Sequence, residues 1–266
     1  MENQLSWWLP QDISTHGAQI DQLINVLHVF MILLFVGWGI FLVYCLVKFR
    51  ERPGHKAQTG SKHFKFPLMI EIGILLFEVF LLVFMSSPVW FSFKHDFPAE
   101  KDALIIRVVA EQFAWNFHYP GKDGKFGVTK PQLMDGTNPI GLDRESSEGK
   151  DDIFTINNLH IPVNRPVILR LFSKDVIHSL SLPVLRVKQD IIPGSEIPVW
   201  FQATQTGQFE VACAQLCGIG HYRMRAQLFV DSAADYEKFI AEETASLSGD
   251  SGSQPAAEPQ KKEGHS

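Results

Sequence analysis

Two apolar stretches near the N-terminus constrain the fold of this chain more than any other feature of its sequence. Residues 23–47 form one mostly apolar stretch of 25 residues, and residues 67–90 form a second of similar length. A helix that crosses a membrane needs about 20 such residues. The first stretch is too long for the apolar part of a signal peptide, and no basic segment precedes it. We therefore predict a hairpin of two transmembrane helices.

Basic residues predict the orientation of this hairpin. Residues 48–66 carry six Lys or Arg and one acidic residue, whereas residues 1–22 carry no Lys or Arg. Cytoplasmic loops are enriched in basic residues, so this loop is expected in the cytoplasm and both termini outside it. Trp7, Trp8 and Trp90 are expected at the membrane surfaces, where tryptophan is enriched. We expect a two-pass protein, most simply of a bacterial inner membrane, with its large domain in the periplasm.

The composition divides the chain into three parts. Residues 1–95 hold the N-terminal segment and the hairpin, and residues 96–246 have the composition of an ordinary water-exposed domain. Residues 247–266 are rich in Ser, Gly, Pro, Glu and Lys, which predicts a disordered tail. The net charge of −5 offers no basic surface for nucleic acid.

Short β-rich segments predict an all-β structure for residues 96–246. Alternating aromatic residues in residues 112–119 favour a strand with one aromatic face. The predicted strands are residues 104–110, 112–119, 152–157, 167–173, 178–182, 197–203, 207–212 and 225–230. Short strands at this spacing are typical of a β-sandwich or barrel. Residues 121–152 are predicted to form a long loop, and residues 233–245 a final helix.

A cluster of soft metal ligands lies near the C-terminus. The segment reads Cys213-Ala-Gln-Leu-Cys217-Gly-Ile-Gly-His221-Tyr-Arg-Met224, with spacings of four, four and three residues. Thiolate, thioether and imidazole together suit copper better than a hard cation. A second histidine, His178, precedes this segment in the predicted strand 178–182. Two Cys, two His and one Met predict two coppers that share two sulfurs.

Two other interpretations of this cluster remain open on the residues alone. Cys213 and Cys217 could form a disulfide in an oxidising compartment. Two Cys and two His also satisfy the tetrahedral preference of zinc. The third cysteine, Cys45, lies in the first apolar stretch and is expected to be a packed side chain.

These motifs resemble those of subunit II of the haem–copper cytochrome c oxidases, and the resemblance covers nearly the whole chain. The family pattern Cys-x-Glu-x-Cys-Gly-x-x-His-x-x-Met is matched from Cys213 to Met224 except at Gln215. Residues 169–183 and 188–194 are similar to the family's other histidine segment. The resemblance implies a two-helix membrane hairpin followed by a cupredoxin Greek-key sandwich or barrel. It also implies a dinuclear copper A centre, whose ligands would be His178, Cys213, Cys217, His221, Met224 and the main-chain carbonyl of Gln215.

The chain departs from the family pattern at two positions. The family has Glu where this chain has Gln215, and that Glu also binds magnesium at the contact with subunit I. A neutral amide is a weaker ligand for a hard cation, so magnesium stays unassigned. The family usually has Trp where this chain has Phe113, at the point where electrons are thought to enter. The resemblance implies that electrons enter near Phe113 and Trp115.

Two glutamates lie in the second apolar stretch, seven residues apart. A charge near the centre of a membrane helix costs roughly 2.5–3.5 kcal/mol, so Glu71 and Glu78 are expected to face protein or water. Glu71 resembles the family glutamate at the entrance of a proton path into subunit I. The alternative is that both side chains only hydrogen-bond to the partner subunit.

The resemblance implies that the chain is the copper-bearing subunit of a terminal oxidase. It would take electrons from a separate cytochrome c and pass them to haem in subunit I, where oxygen is reduced to water and protons are pumped. The oxygen chemistry, and therefore every catalytic residue, would lie outside this chain. Other oxidase subunits and membrane lipid are the remaining expected partners.

Three alternative functions share parts of this design. A copper A subunit of a nitric oxide reductase could have the same motifs. A membrane-anchored copper chaperone also has two cysteines four residues apart, but it usually has one span and no compact His and Met after the second Cys. A quinol oxidase subunit II keeps the fold without the copper ligands, which Cys213, Cys217 and Met224 argue against.

Overall fold

The computed structural model describes residues 9–54 and 65–248. These residues form α1 (Gly17–Lys48), α2 (Lys65–Phe80), a π-helical segment (Leu81–Ser86), α3 (Ser87–His95) and α4 (Ala233–Ser248). Between α3 and α4 lie ten strands: β1 (Leu104–Glu111), β2 (Ala114–Tyr119), β3 (Ile153–Ile156), β4 (Asn158–Pro162), β5 (Pro166–Ser173), β6 (His178–Leu182), β7 (Val187–Ile191), β8 (Ile197–Gln202), β9 (Gly207–Cys213) and β10 (Arg225–Asp231).

The predicted pair of long apolar helices is confirmed. α1 and the continuous helix Lys65–His95 are both long and apolar enough to cross a membrane. Their apolar side chains point away from the rest of the chain; Phe35, for example, is 80% exposed. Aromatic contact joins the helices, since the rings of Phe30 and Phe77 lie 4.6 Å apart. Exposed apolar surface on this scale is stable only when lipid or another protein covers it.

The second helix continues beyond the predicted end of its span at residue 90 and reaches His95. Pro88 would break the regular hydrogen-bond pattern, because it has no N–H group and its ring crowds the preceding turn. The π-helical segment Leu81–Ser86 lies directly before it and widens the helix there. The Ser87 N–H and the Ser87 hydroxyl both donate to the Leu82 carbonyl, the hydroxyl at 2.8 Å, so two hydrogen bonds hold this end of the π-helical segment. These adjustments let the helix pass through the proline.

The strands form two five-stranded sheets. The first sheet has the order β3-β2-β1-β5-β8 and the second β4-β10-β9-β6-β7. The pairs β1–β5 and β4–β10 are parallel, and the other pairs are antiparallel. The apolar core includes buried residues of both sheets, such as Ile106 and Leu169 of the first and Leu180 and Leu228 of the second. The prediction of a β-sandwich or barrel is therefore confirmed, and the two separate sheets make the domain a sandwich.

Three predictions about individual elements differ from the structure. The strand predicted at residues 112–119 begins at Ala114, because the two residues before it form a turn. Both faces of β2 are buried, since Asn116 and His118 are as inaccessible as Trp115 and Phe117. β4 and β7 are additional strands; β7 has Val187 and Ile191 at its two ends with three polar residues between them, and it lies at the edge of its sheet.

The C-terminal helix also extends beyond its predicted end. α4 runs to Ser248, so residues 247 and 248 belong to the helix and not to the predicted tail. The remainder of that tail, residues 249–266, lies outside the described residues, as do Trp7, Trp8, Lys56 and Lys62.

Candidate metal centre

The pairing of β6 with β9 brings distant parts of the chain to one end of the second sheet. His178 is the first residue of β6 and Cys213 the last residue of β9, and Leu180 pairs with Cys213. The loop from β9 to β10 then carries Cys217, His221 and Met224 back over the same end. The sheet register therefore places a histidine beside a cysteine 35 residues away in sequence.

Six predicted donor atoms converge there. The two cysteine sulfurs are 3.8 Å apart, and the Cys213 sulfur lies 4.0 Å from Nδ1 of His178. The Cys217 sulfur lies 3.6 Å from Nδ1 of His221 and 3.7 Å from the Met224 sulfur. The ligand atoms of His178, Cys213 and Cys217 all lie within 4.8 Å of one another. This arrangement could hold metal between the two thiols.

Gln215 contributes its backbone and not its side chain. Its carbonyl oxygen lies 3.2 Å from the Cys213 sulfur, whereas the residue itself is exposed. A main-chain oxygen is available whatever the side chain is. The departure from the family pattern at this position therefore leaves the sixth donor in place.

The site is shielded from water on its protein side. His178 is fully buried, and Cys217 and Met224 are 4% and 2% exposed. Cys213 is partly buried. Burial of soft donors on one side of the site limits the access of water and hard ligands to it.

The two thiols differ in acidity. Burial alone would raise the pKa of Cys213, but hydrogen bonds from the His178 ring and the Ser179 backbone lower it to about 6. Burial and the neighbouring Cys213 charge raise the pKa of Cys217 to about 11. A bound cation would favour the thiolate form of both sulfurs, since thiolates are the form that binds metal.

Asp175 orients the His178 ring, a role that the sequence analysis missed. Its carboxylate accepts a hydrogen bond from Nε2 of His178 at 2.8 Å, and others from the backbone N–H groups of Gln112 and Val176 at 2.7 Å each. Burial acts to raise the pKa of Asp175, but these hydrogen bonds lower it below its usual value. With Nε2 donating to Asp175, Nδ1 is the ring nitrogen that faces Cys213, and it would give up its proton when a metal binds there. The position of Asp175, three residues before His178, was the available signal.

Gln112 and Phe113 pack against the ligand loop. The Gln112 side-chain amide donates to the Cys217 carbonyl at 2.6 Å. A Cβ atom on Gly220 would lie 2.4 Å from the Phe113 ring, and one on Gly218 would lie 2.7 Å from the Gln112 amide. Gly218 also has φ +135°, a conformation that favours glycine. Both glycines therefore allow the loop to lie directly on this turn.

The two aromatic residues predicted for electron transfer lie at different depths. Phe113 is partly exposed and covers the ligand loop. Trp115 is fully buried, and its ring centre lies 6.3 Å from that of His178. The two side chains are thus on the outer and inner sides of the donor cluster.

Glu71 and Glu78 lie far from this cluster in sequence and in the fold. Both belong to α2, and both are exposed on the surface of the hairpin. Their charges would face lipid unless another protein covered them.

The geometry argues against the two other interpretations of the cluster, a disulfide and a zinc site. Cys213 and Cys217 are free thiols, and their separation of 3.8 Å is well beyond a disulfide bond of about 2.05 Å. Zinc would use two Cys and two His, but the buried Met224 sulfur adjoins Cys217 as a fifth soft donor. Zinc sites are built from Cys, His and carboxylate ligands, whereas an axial Met is typical of copper electron-transfer sites, so Met224 fits copper better.

A family model described as the periplasmic domain of cytochrome c oxidase subunit II matches residues 104–230. The match covers β1 to β10 and therefore the whole donor cluster. It also agrees with the cupredoxin-like architecture of the two sheets.

Relatives of known name match almost the whole chain. An alternative cytochrome c oxidase subunit 2 of Bradyrhizobium diazoefficiens is 33% identical over 246 residues, covering 91% of this chain and 87% of the relative. A cytochrome c oxidase subunit 2 of Synechocystis is 29% identical over 254 residues, covering 88% and 75%. Among solved structures, the periplasmic domain of subunit II of cytochrome oxidase of Bradyrhizobium japonicum is similar, with 28% identity and a TM-score of 0.40. That similarity covers 54% of this chain and 95% of the other.

Proposed function

The chain belongs to the cytochrome c oxidase subunit II family, and we propose that it receives electrons from a cytochrome c at a dinuclear copper A centre. It passes them to haem in the catalytic subunit, where oxygen is reduced to water and protons are translocated. The chain itself carries electrons and holds no oxygen site.

The convergence of four donors around the two cysteine sulfurs, six donor atoms in all, is the observation that carries this proposal. His178, Cys213, Cys217, His221 and Met224 supply imidazole, thiolate and thioether, which bind both oxidation states of copper. The Gln215 carbonyl adds one oxygen. When bound, copper would accept and release single electrons here.

The protein around the donors limits their movement. Asp175 fixes the His178 ring, and the Gln112 amide holds the Cys217 carbonyl. Phe113 covers both loop glycines. Ligands held in this way need not rearrange between two redox states, and that keeps the cost of each electron transfer low.

An apolar patch on the ligand loop supports docking of a redox partner. Leu216, Ile219 and Tyr222 are 77%, 93% and 85% exposed, and they flank Cys217 and His221. Exposed apolar side chains grouped in this way are typical of protein interfaces. Phe113, whose ring packs against this loop from the turn before β2, is the position at which we propose that electrons enter, with Trp115 on the inner side of the donor cluster.

The exposed glutamates of α2 support contact with the catalytic subunit. A carboxylate on a membrane-spanning helix needs a protein or water-filled surrounding. We propose that subunit I covers Glu71 and Glu78, and that Glu71 lies at the entrance of a proton path. The magnesium ion of the family is left out of this proposal because Gln215 is neutral.

The membrane arrangement is also part of the proposal. The chain is a membrane-anchored subunit; the basic residue Lys48 ends α1, and Arg50 and Arg52 follow it. We infer a cytoplasmic loop, two extracytoplasmic termini and a periplasmic β domain that spans residues 96–246.

Copper content and electron paramagnetic resonance of the full chain test the proposal. We expect two coppers per chain and a mixed-valence spectrum, both lost in Cys217→Ser. Cys45 lies in α1, away from the donors, so Cys45→Ser is the matched control and should retain both signals. One copper per chain, or a Cys213–Cys217 disulfide in the metal-loaded protein, would refute the copper A assignment.

The identity of the catalytic subunit separates the oxidase from a nitric oxide reductase. The relatives that match this chain are named as oxidase subunits, which supports oxygen as the acceptor substrate. Purification of the intact complex, followed by assays of oxygen and nitric oxide consumption, would decide between the two.

A further inference from the structure

A buried ion pair joins the first membrane helix to the β domain. The guanidinium of Arg186 donates to both carboxylate oxygens of Asp21, from Nε at 2.7 Å and from Nη2 at 2.9 Å. The two side chains are only 6% and 9% exposed. A bidentate pair of this kind fixes direction as well as distance, which apolar packing alone does not.

Arg186 is held from several sides at once. It also donates to the carbonyls of Pro183 and Pro10, each at 2.7 Å. Its backbone has φ +55° and ψ +28°, a left-handed conformation that glycine adopts easily and arginine rarely. Such a conformation persists only when the surroundings over-determine it. The side-chain contacts of Arg186 supply that constraint.

The chain before α1 makes a second attachment beside the first. The Ile13 N–H donates to the Val184 carbonyl at 2.9 Å, and the Thr204 N–H donates to the Ile13 carbonyl at 2.7 Å. The Ile13 side chain is 1% exposed and belongs to the core of the β domain. The segment that leads into α1 is therefore part of the β domain, and the helix leaves it at a defined point.

The second helix touches the same region. The Lys94 ammonium donates to the Gln189 side chain at 2.7 Å, and the Phe93 ring meets the His16 ring edge-on at 4.3 Å. These contacts reach β7 and the start of α1. Among the described residues, only Asp21 and Arg186 join α1 to the β domain through two buried side chains of opposite charge.

The pair lies where the membrane begins and close in sequence to a metal ligand. Asp21 is two residues before the apolar stretch that starts at Leu23. Arg186 follows the 3₁₀ turn Pro183–Leu185, which ends β6, and β6 begins at His178. A displacement of Arg186 would therefore be transmitted along one strand to the donor cluster.

We propose that the Asp21–Arg186 pair is a positioning contact that fixes the β domain relative to the membrane helices and so sets the path for electrons leaving the donor cluster. The claim about the electron path rests on the proposed function. The claim about the position of the β domain concerns the chain alone and can be tested without metal.

Distance measurements between two spin labels test the positioning directly. The full chain would carry Cys45→Ser, Cys213→Ser and Cys217→Ser, with labels at Phe35→Cys on α1 and Glu237→Cys on α4, both exposed. In lipid nanodiscs we expect one narrow distance distribution. Asp21→Asn and Arg186→Gly should each broaden or shift it.

Two features of these variants exclude a trivial loss of folding. Arg186→Gly relieves the left-handed backbone strain, so a broader distribution would report the lost side-chain contacts of Arg186, and the same change in Asp21→Asn would assign it to the ion pair. Asp231→Asn is the matched control, because it removes a partly buried partner of His160 within the β domain. It should leave the distribution unchanged. A broad distance distribution in the parent chain would overturn the proposal. So would a distribution that is unchanged in both Asp21→Asn and Arg186→Gly.

The assembled oxidase tests the consequence for electron flow. In Asp21→Asn we expect reduction of the copper site by cytochrome c to keep its rate and its resonance spectrum. Onward transfer to haem should slow by about tenfold or more, since small misplacements far from a reacting centre have large kinetic effects. An unchanged onward rate would overturn the kinetic half. A parent complex that transfers no electrons would refute the proposed function. The spin-label distances, which are measured without metal, would still decide whether the Asp21–Arg186 pair positions the β domain.

Discussion

The main-chain carbonyl oxygen of Gln215 lies 3.2 Å from the sulfur of Cys213, while the Gln215 side chain points into solvent. The backbone and the side chain of this residue therefore face different surroundings. A donor on the backbone depends on the loop conformation, and the loop conformation depends on Gly218 and Gly220.

Replacement of Gln215 should leave the copper centre intact. We expect Gln215→Ala and Gln215→Glu to bind as much copper as the parent chain and to give the same resonance spectrum, because the main-chain oxygen is retained. In the assembled oxidase, Gln215→Glu should also gain affinity for Mn²⁺ as a probe of a magnesium site, since a carboxylate binds hard cations better than an amide. Loss of copper from Gln215→Ala would show that the side chain is needed.

Replacement of Met224 should change the redox potential and not the copper content. Met224 is 2% exposed, and a Met-to-Leu change conserves volume, so the cost to folding should stay below about 1.5 kcal/mol. The thioether 3.7 Å from Cys217 would be lost, and weak axial ligands tune the potential of copper sites. Redox titration of Met224→Leu against the parent chain measures the shift. An unchanged potential would remove Met224 from the ligand set.

The sequence predicted the donor cluster well because its members carry their chemistry locally. Cys213, Cys217, His221 and Met224 lie within twelve residues, and their spacing survives any error in the strand boundaries. His178 needed the resemblance to the oxidase family, because only the pairing of β6 with β9 brings it to the thiols.

Contacts between residues that are far apart in the chain could not be predicted from local sequence patterns. Asp21 and Arg186 are 165 residues apart, and nothing in the local sequence of either one indicates the other. β7 was missed because Lys188, Gln189 and Asp190 make its middle polar, as the edge of a sheet permits. The aromatic alternation of residues 113–119 did predict β2, but it did not predict that Phe113 lies in the preceding turn.

Phe113→Trp tests where electrons enter. The larger indole restores the residue that the family usually has, over the same two loop glycines. We expect faster oxidation of cytochrome c by the assembled oxidase, measured by stopped-flow absorbance, with copper content unchanged. Phe113→Leu is the matched control for loss of the aromatic ring, and it should oxidise cytochrome c more slowly than the parent. Equal rates in all three proteins would argue that electrons enter elsewhere.

Glu71→Gln tests the proton path. Both glutamates of α2 are exposed on the hairpin, so the neutral amide should fold and assemble in either position. We expect Glu71→Gln to lower oxygen turnover severalfold, with reduction of the copper site by cytochrome c unchanged. Glu78→Gln, on the same helix seven residues away, is the control and should have the smaller effect. Equal turnover in the parent and Glu71→Gln would leave Glu71 with a structural role only.

The stability of the β domain should depend on pH through His118. Nε2 of His118 lies 2.6 Å from Asp152, both side chains are buried, and Asp152 also accepts the backbone N–H groups of Gly121 and Gly127. Burial lowers the pKa of His118 in the folded state, although Asp152 acts in the opposite direction. The unfolded chain therefore binds a proton more readily than the folded chain. The free energy of unfolding should fall as the pH drops below about 6.5, the pKa of an unperturbed histidine.

Denaturant unfolding between about pH 8 and pH 5 measures this dependence. His118→Gln removes the titrating group, so its unfolding free energy should decline less steeply over that range than the parent's. His95 is exposed at the end of α3, and His95→Gln should keep the parent slope. Because His16 and His178 also titrate in the parent, the difference between the two variants is the relevant quantity. If the free energy of unfolding has the same pH dependence in His118→Gln and His95→Gln, protonation of His118 does not destabilise the fold, and the prediction is wrong.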